Sequence, residues 1–365
     1  MMRSRRAMIA GLVAANTMVI VAGLLLLSRG TESGGQGRPV VRGETSPTIR
    51  QTQASNAAIS VALSEAAYPT GSVSTAVLAR DDTWIDALAS SSLQGAIGAP
   101  LLVTPPQELA PEVRRELRRM GARNVYLMGG PSGLSPAVEQ ALIDSGYQVE
   151  RVSGDSAVAN AVALADRFLP NSKTALLVRG ITGSADESRG FVDVLAGGAW
   201  AASESMPVLL TDPFQLSGET REYLERSQVQ KVILVGGRIA LGGSVNAELE
   251  RLGVEVQRIS GPSRFDTAAK IAALRATDPK DPSVLLVDGS GDRLWVAAFA
   301  AALYSTRAAA PILLTDHDVL PPATDVVLQQ FPSRPVCGPG VSDLACAAAR
   351  TEAEKALNSR VRSPG

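Results

Sequence analysis

Pro100-Leu-Leu-Val-Thr104, Pro207-Val-Leu-Leu-Thr211 and Pro311-Ile-Leu-Leu-Thr315 are one segment written three times. A short apolar run without polar alternation reads as a strand buried on both faces. Shifting the sequence by 107 residues lays Pro100 on Pro207 and extends the match without a gap from 86 to 154. Asp86 then meets Asp193, Gly129-Gly130 meets Gly236-Gly237, Arg151 meets Arg258, and Ser153-Gly154 meets Ser260-Gly261. A further shift of 104 sets Pro207 on Pro311 and Leu216 on Leu320. Self-similarity at a fixed period marks a tandem array, here three units of about 100 residues.

Working outward from that strand, the hydrophobic period keeps switching between short runs and helical spacing. In the first unit, strands are expected at Ala76 to Ala79, Leu101 to Thr104, Asn124 to Met128 and Tyr147 to Val152. Helices are expected from Asp86 to Ile97, from Pro111 to Met120, after Ser135-Pro136, and from Ala157 to Phe168. Strands alternating with helices, each strand apolar on both faces, imply a parallel sheet covered by helices. Each unit is thus a small Rossmann-like α/β layer, and the fold class is α/β with three tandem parallel-sheet repeats.

The copies differ. Unit two inserts residues between its first strand and first helix, Ile181 to Gly190. Unit three has Ala297 where the others have Asp86 and Asp193, and Gly338-Pro339-Gly340 in place of the double glycine. After Val341 it offers one helix and a polar tail, with no fourth strand.

Ahead of the repeats, Ala7 to Leu27 carries no charge and follows Arg3, Arg5 and Arg6. About 20 apolar residues cross a bilayer as a helix, and flanking arginines set its cytoplasmic side. The segment reads as a transmembrane anchor or a signal peptide over residues 1–28, followed by a Gly-, Pro- and Ser-rich linker over 29–52. The units then occupy 53–151, 152–258 and 259–358, outside the cytoplasmic membrane.

Composition excludes several chemistries. With 35 basic and 36 acidic residues the net charge is -1, so no basic field recommends nucleic acid as a partner. One histidine and two cysteines leave no His- or Cys-rich metal centre, and no catalytic residue, metal ligand or cofactor is expected. Cys337 and Cys346, on the exported side, are candidates for a disulfide tying the last helix to the third unit's third strand.

The candidate binding residues each carry two readings. Gly129-Gly130 and Gly236-Gly237 end a strand ahead of a helix. Such a turn either needs positive φ or offers N–H groups to an anion. Asp86 and Asp193 precede Ala-rich helices, as caps or as ligand contacts. Arg151, Arg258 and Arg264 suit bidentate recognition of phosphate or carboxylate, or a salt bridge between units. His317 reads as a solvated loop residue.

These motifs carry a resemblance. Asp86-Ala-Leu88, Ala99 to Thr104, and Val125-Tyr-Leu-Met-Gly-Gly130 resemble the cell-wall-binding repeat type 2 family. So does Arg258-Ile-Ser-Gly-Pro-Ser-Arg-Phe-Asp-Thr-Ala-Ala269 at a unit junction, over a likeness spanning about 53 to 350. The first junction departs from the family, with Ala157 and Asn160 in place of Arg and Thr. The resemblance implies a pseudo-threefold array binding an anionic cell-wall polymer, or a peptidoglycan-linked glycan, in a Gram-positive envelope. A second class of function is a scaffold that modifies a wall hydrolase.

Overall fold

A computed structural model describes residues 49, 55–180, 195–275, 283–290, 294–331 and 333–361. The apolar segment Ala7 to Leu27, nearly all of the linker, and Asp193 lie outside the described residues. Among those described, no helix is long and apolar enough to cross a membrane.

The first unit runs α1 (Asn56–Ala67), β1 (Thr75–Arg80), α2 (Ile85–Ile97), β2 (Leu101–Thr104), α3 (Pro111–Met120), β3 (Asn124–Met128), α4 (Pro136–Asp144) and β4 (Gln148–Val152). The second runs α5 (Ala157–Phe168), β5 (Thr174–Arg179), α6 (Leu195–Ser203), β6 (Val208–Thr211), α7 (Gly218–Arg226), β7 (Lys231–Val235), α8 (Gly243–Arg251) and β8 (Glu255–Ile259). The third runs α9 (Arg264–Arg275), β9 (Ser283–Asp288), α10 (Leu294–Arg307), β10 (Ile312–Thr315), α11 (Pro322–Gln330), β11 (Arg334–Cys337) and α12 (Asp343–Val361).

All three sheets are parallel, ordered β2-β1-β3-β4, β6-β5-β7-β8 and β10-β9-β11. The repeated strands β2, β6 and β10 are buried at every position although each ends its sheet. The helix leading each unit covers them: α1 packs on β2, α5 on β6 and α9 on β10. In the first unit this cover also satisfies the exposed ladder, since Val103 N–H donates to Ser60 Oγ at 3.1 Å.

Helices α2, α6 and α10 pack on one another at the centre. Small residues mark their contacts. A Cβ added at Gly95 would sit 2.0 Å from the Ala202 carbonyl oxygen, and one at Gly198 would sit 2.6 Å from Ser91 Oγ. Gly95 and Ala202 are equivalent under the 107-residue shift, as are Ser91 and Gly198. Equivalent positions therefore meet their own counterparts, as rotation about a pseudo-symmetry axis requires. Small residues here let the backbones close, and Gln94 Nε2 clamps α2 to α10 by donating to Phe299 O at 2.8 Å.

One apolar cluster runs through this centre and draws on all three units, including Leu88, Leu210 and Leu314. Each unit adds its own outer cluster between sheet and outer helices, around Leu117, Tyr223 and Leu328 respectively. Burying a leucine contributes roughly 1.5–3 kcal/mol, so a unit cut from its neighbours loses the inner half of its core.

Local signals behave unevenly. Pro111 opens α3, and Gly121 closes it at φ 81°. Ser135 occupies the cap position of α4, yet its hydroxyl makes no cap bond and is buried without a partner. The third sheet has three strands among the described residues, and Ile49 N–H donates to Cys337 O at 2.7 Å on its β11 edge. Cys337 and Cys346 are disulfide-bonded, joining β11 to α12.

Candidate functional site

In each four-stranded sheet the chain leaves β1 or β5 to one side and β3 or β7 to the other. The carboxyl ends of that central pair frame a crevice, the place where open α/β sheets bind ligands.

In the first unit β1 delivers Arg80 to this crevice and the first turn of α2 delivers Asp86. The expected capping role of Asp86 is corrected here. Trp84 occupies the cap position with no side-chain bond, and the Asp86 carboxylate faces the glycine turn instead. A Cβ on Gly129 would lie 2.7 Å from Asp86 Oδ2, and one on Gly133 would lie 3.3 Å from it. Asn160, from the next unit's leading helix, donates to Asp86 Oδ1 at 3.2 Å. Burial raises the Asp86 pKa above the usual carboxylate value, against the pull of Arg80 and the Asn160 bond. Arg80 is held by a two-pronged pair with Asp82 at 2.5 Å, the chief reason its own pKa is raised.

The double glycines are turns with positive φ at their first residue, 84° at Gly129 and 114° at Gly236. Those residues cannot cradle an anion through their N–H groups, which donate to Val152 O at 3.0 Å and Ile259 O at 2.9 Å. Among the described residues no acceptor takes the N–H of Gly130 or Gly237. The turn's carbonyls are gripped from beneath. Arg151 Nη1 donates to Gly129 O and Gly130 O at 3.0 and 3.1 Å, and Arg258 Nη1 to Gly236 O and Gly237 O at 2.9 and 3.4 Å.

These arginines lock the turn of their own unit rather than one unit against the next. They differ in charge balance. Arg151 also pairs with Glu139 at 2.7 Å. At the matching place the second unit has Asn246, and among the described residues no carboxylate lies within ion-pair distance of Arg258. Burial, then the neighbouring Arg238, lowers the Arg258 pKa. Exposed Phe214 and Ile239 stand on loops of this same crevice, bridged by Gly242 N–H donating to Pro213 O at 2.7 Å.

The two junctions look different in sequence and work alike. Gly154 N–H donates to Asn160 Oδ1, and Gly261 N–H donates to Thr267 Oγ1 at 3.0 Å. Asn160 thus supplies the acceptor that threonine supplies, and adds the donor that reaches Asp86. Arg264 does not join the glycine turn. Its Nη1 donates to Gly289 O at 2.8 Å, beyond the end of β9.

The third crevice is built otherwise. Ala297 is buried where Asp86 has its counterpart. The strand-end residue is Asp288, whose Oδ1 accepts from Ser290 N at 3.1 Å, Ser290 Oγ at 2.6 Å and His317 N at 3.3 Å. His317 is exposed, in the left-handed region at φ 47°, with Nδ1 3.7 Å from Asp288 Oδ2. No cluster of metal-ligating side chains occurs among the described residues.

Arg80 and Asn160 were not among the expected site residues. A signal for Arg80 existed: the strand Thr75 to Arg80 reappears as Thr174 to Arg179, at a shift of 99 displaced by the insertion.

A three-unit parallel array with strand-end crevices has known counterparts. The chain belongs to the cell wall binding domain 2 (CWB2) family, whose pattern matches residues 44–139, 151–246 and 258–337. Cell wall binding is the function that this membership carries. In fold it is similar to Cwp8 from Clostridium difficile, with a TM-score of 0.73 at 23% identity over 86% of this chain and 51% of that one. Cwp6 from Clostridium difficile gives a TM-score of 0.74 at 18% identity over 89% of this chain and 50% of that one. In sequence it is 29% identical over 197 residues to the N-acetylmuramoyl-L-alanine amidase LytC of Bacillus subtilis (strain 168). It is 26% identical over 249 residues to the amidase enhancer of the same organism. These stretches are 54% and 68% of this chain but only 36% and 32% of those proteins, so the chain spans about a third of each.

Proposed function

We propose that the protein binds an anionic polymer of the cell wall through the crevices of its first and second units, without turnover. The observation that carries this reading is the repeated assembly of a double-glycine turn locked by an arginine at the switch point of both sheets. It leaves the Gly130 and Gly237 N–H groups as donors for phosphate or carboxylate groups. They are joined by exposed Arg238 in the second crevice and, in the first, by the Arg80 N–H groups that Asp82 does not take. Asp193, the counterpart of Asp86, belongs to the same proposal by the repeat alignment. Exposed Phe214 and Ile239 offer apolar surface to the C–H faces of sugars at the second crevice. With a net charge of -1, attraction comes from these local groups, and weak contacts add through multivalency.

The apolar run Ala7 to Leu27 supports export, as a membrane anchor with 29–52 as tether or as a signal peptide, and the likeness to Bacillus subtilis proteins supports a Gram-positive envelope. The likeness to an amidase and an amidase enhancer supports a second reading, in which a wall hydrolase is a further partner.

Sedimentation with purified walls, before and after extraction of anionic polymer, tests the first reading. Replacing Arg80 and Arg238 together by glutamine is expected to weaken sedimentation about tenfold or more, since charged hydrogen bonds contribute ~1.5–3 kcal/mol each. Sedimentation indifferent to polymer extraction would overturn it.

A further inference from the structure

At the amino ends of the second unit's strands, opposite its crevice, lies an open depression of about 420 Å³. It is lined by Trp200, Glu204 and Met206 from the end of α6 and beyond, by Lys173 and Thr174 at the start of β5, and by Lys231 and Ile233 of β7. Its size falls within the range of small-molecule sites.

The same place in the first unit is filled. Under the 107-residue shift, Trp200 corresponds to Leu93, Glu204 to Ile97, Ile233 to Tyr126 and Arg275 to Phe168. Tyr126 and Phe168 meet edge to face with centroids 5.2 Å apart, and Leu93 and Ile97 belong to the apolar core. In the second unit the aromatic plug is gone. Ile233 is too short to replace the tyrosine, and Arg275 turns to Ser305 Oγ at 2.9 Å. Arg275 is buried enough to bring its pKa down to about 10, with Glu204 as the opposing charge. A space that packing closes in one copy has opened in the other, and its wall has become polar.

The chemistry of that wall is specific. Lys173 is exposed and bonded to Gln228, and Lys231 pairs with the exposed Glu255 at 2.8 Å. Glu204, the acid of the lining, is opposed by Arg275, and Lys231 by Glu255, so the Lys173 ammonium, bonded only to a neutral amide, sets the sign of the rim. The half-buried Trp200 supplies a broad apolar surface beside Ser172, Thr174 and Gln257. An indole, short polar groups and one uncompensated cation in a space of this size, with a second ammonium paired at the rim, suit a pyranose ring bearing one negative charge.

We propose that this depression is a second binding site, separate from the crevices, for a single anionic sugar residue: a hexuronate or a hexose phosphate. It is independent of the crevice reading, because it uses none of the same residues.

Calorimetric titration of the whole protein with free glucuronate and with glucose 1-phosphate tests it, with glucose and sodium chloride as controls. Saturable binding of either anionic sugar, with no response to the controls, is expected. A response to one anion alone assigns carboxylate or phosphate as the recognised group. Lys173→Gln with Lys231→Gln should weaken binding at least tenfold. Ile233→Tyr, which restores the first unit's tyrosine, should abolish it while leaving the circular dichroism spectrum and wall sedimentation unchanged. A parallel fluorescence titration reads Trp200 by the change on binding, because it is the tryptophan that lines the depression, and Trp200→Phe should remove that change. No saturable heat with either sugar, equal heat with glucose, or undiminished affinity in the double lysine variant would overturn the proposal.

Discussion

In the first unit β1 ends in Arg80 and α2 opens with Asp86; in the third, β9 ends in Asp288 and Ala297 replaces the acid of the helix. The strand cores behind these ends stay apolar, Ala76 to Ala79 against Val284 to Val287, all buried. Packing governs the buried positions, since a change of even one methylene is felt there. Strand-end positions answer only to what they touch, and they have inverted their charge. The strand-end cation of the first crevice is thus an acid in the third, which is the ground on which the proposed polymer contacts are assigned to units one and two.

Four experiments break or sharpen the contrast between common skeleton and divergent ends. The largest effect belongs to the skeleton. Gly95→Val drives side-chain atoms into the Ala202 backbone and is expected to cost about 3 kcal/mol or more, read as a lost or early urea transition. Gly130→Ala, in open space, should leave the midpoint within about 0.5 kcal/mol of the parent. Next comes the disulfide of the third unit. Replacing Cys337 and Cys346 by alanine should lose about 2–3 kcal/mol, with hydrogen exchange accelerated first in β11 and α12. Smaller is Gly98→Ala, at φ 63°, for which about 1 kcal/mol is expected. The counterparts Ser205 and Ala309 already carry that strain at φ 53° and 50°, so Ser205→Gly and Ala309→Gly should each raise the midpoint slightly.

The smallest effect is electrostatic. Because the folded Asp86 carboxyl has a raised pKa, the native state holds its proton more tightly than the unfolded chain. Stability should therefore fall as pH rises from the unfolded value near 4 through the folded one. Asp86→Asn should flatten that decline in a pH series of denaturation midpoints. An unchanged slope would show that Arg80 and Asn160 fully offset the burial.

The sequence carried the fold because buried parallel strands leave continuous apolar runs, and because three copies let a weak pattern be read three times. The turns were legible for the same reason: a glycine at φ 84° has few substitutes. What stayed hidden depends on partners brought from elsewhere in the chain. Asn160 reads as the loss of a threonine, yet its amide oxygen accepts the Gly154 N–H in the threonine's stead. Asp86 has the look of a helix cap, and only the arrival of Gly129 and Asn160 shows why it does not cap. Arg80 escaped because the ungapped alignment begins at residue 86, downstream of the insertion that displaces its counterpart.

The close mutual packing of α2, α6 and α10 has a consequence for what the molecule measures. Beads on a flexible string adjust to any ligand, whereas recognition points fused to one hub stand at set intervals, like marks on a gauge. Oligomers too short to reach from one mark to the next should bind as monovalent fragments, with avidity switching on at a threshold length.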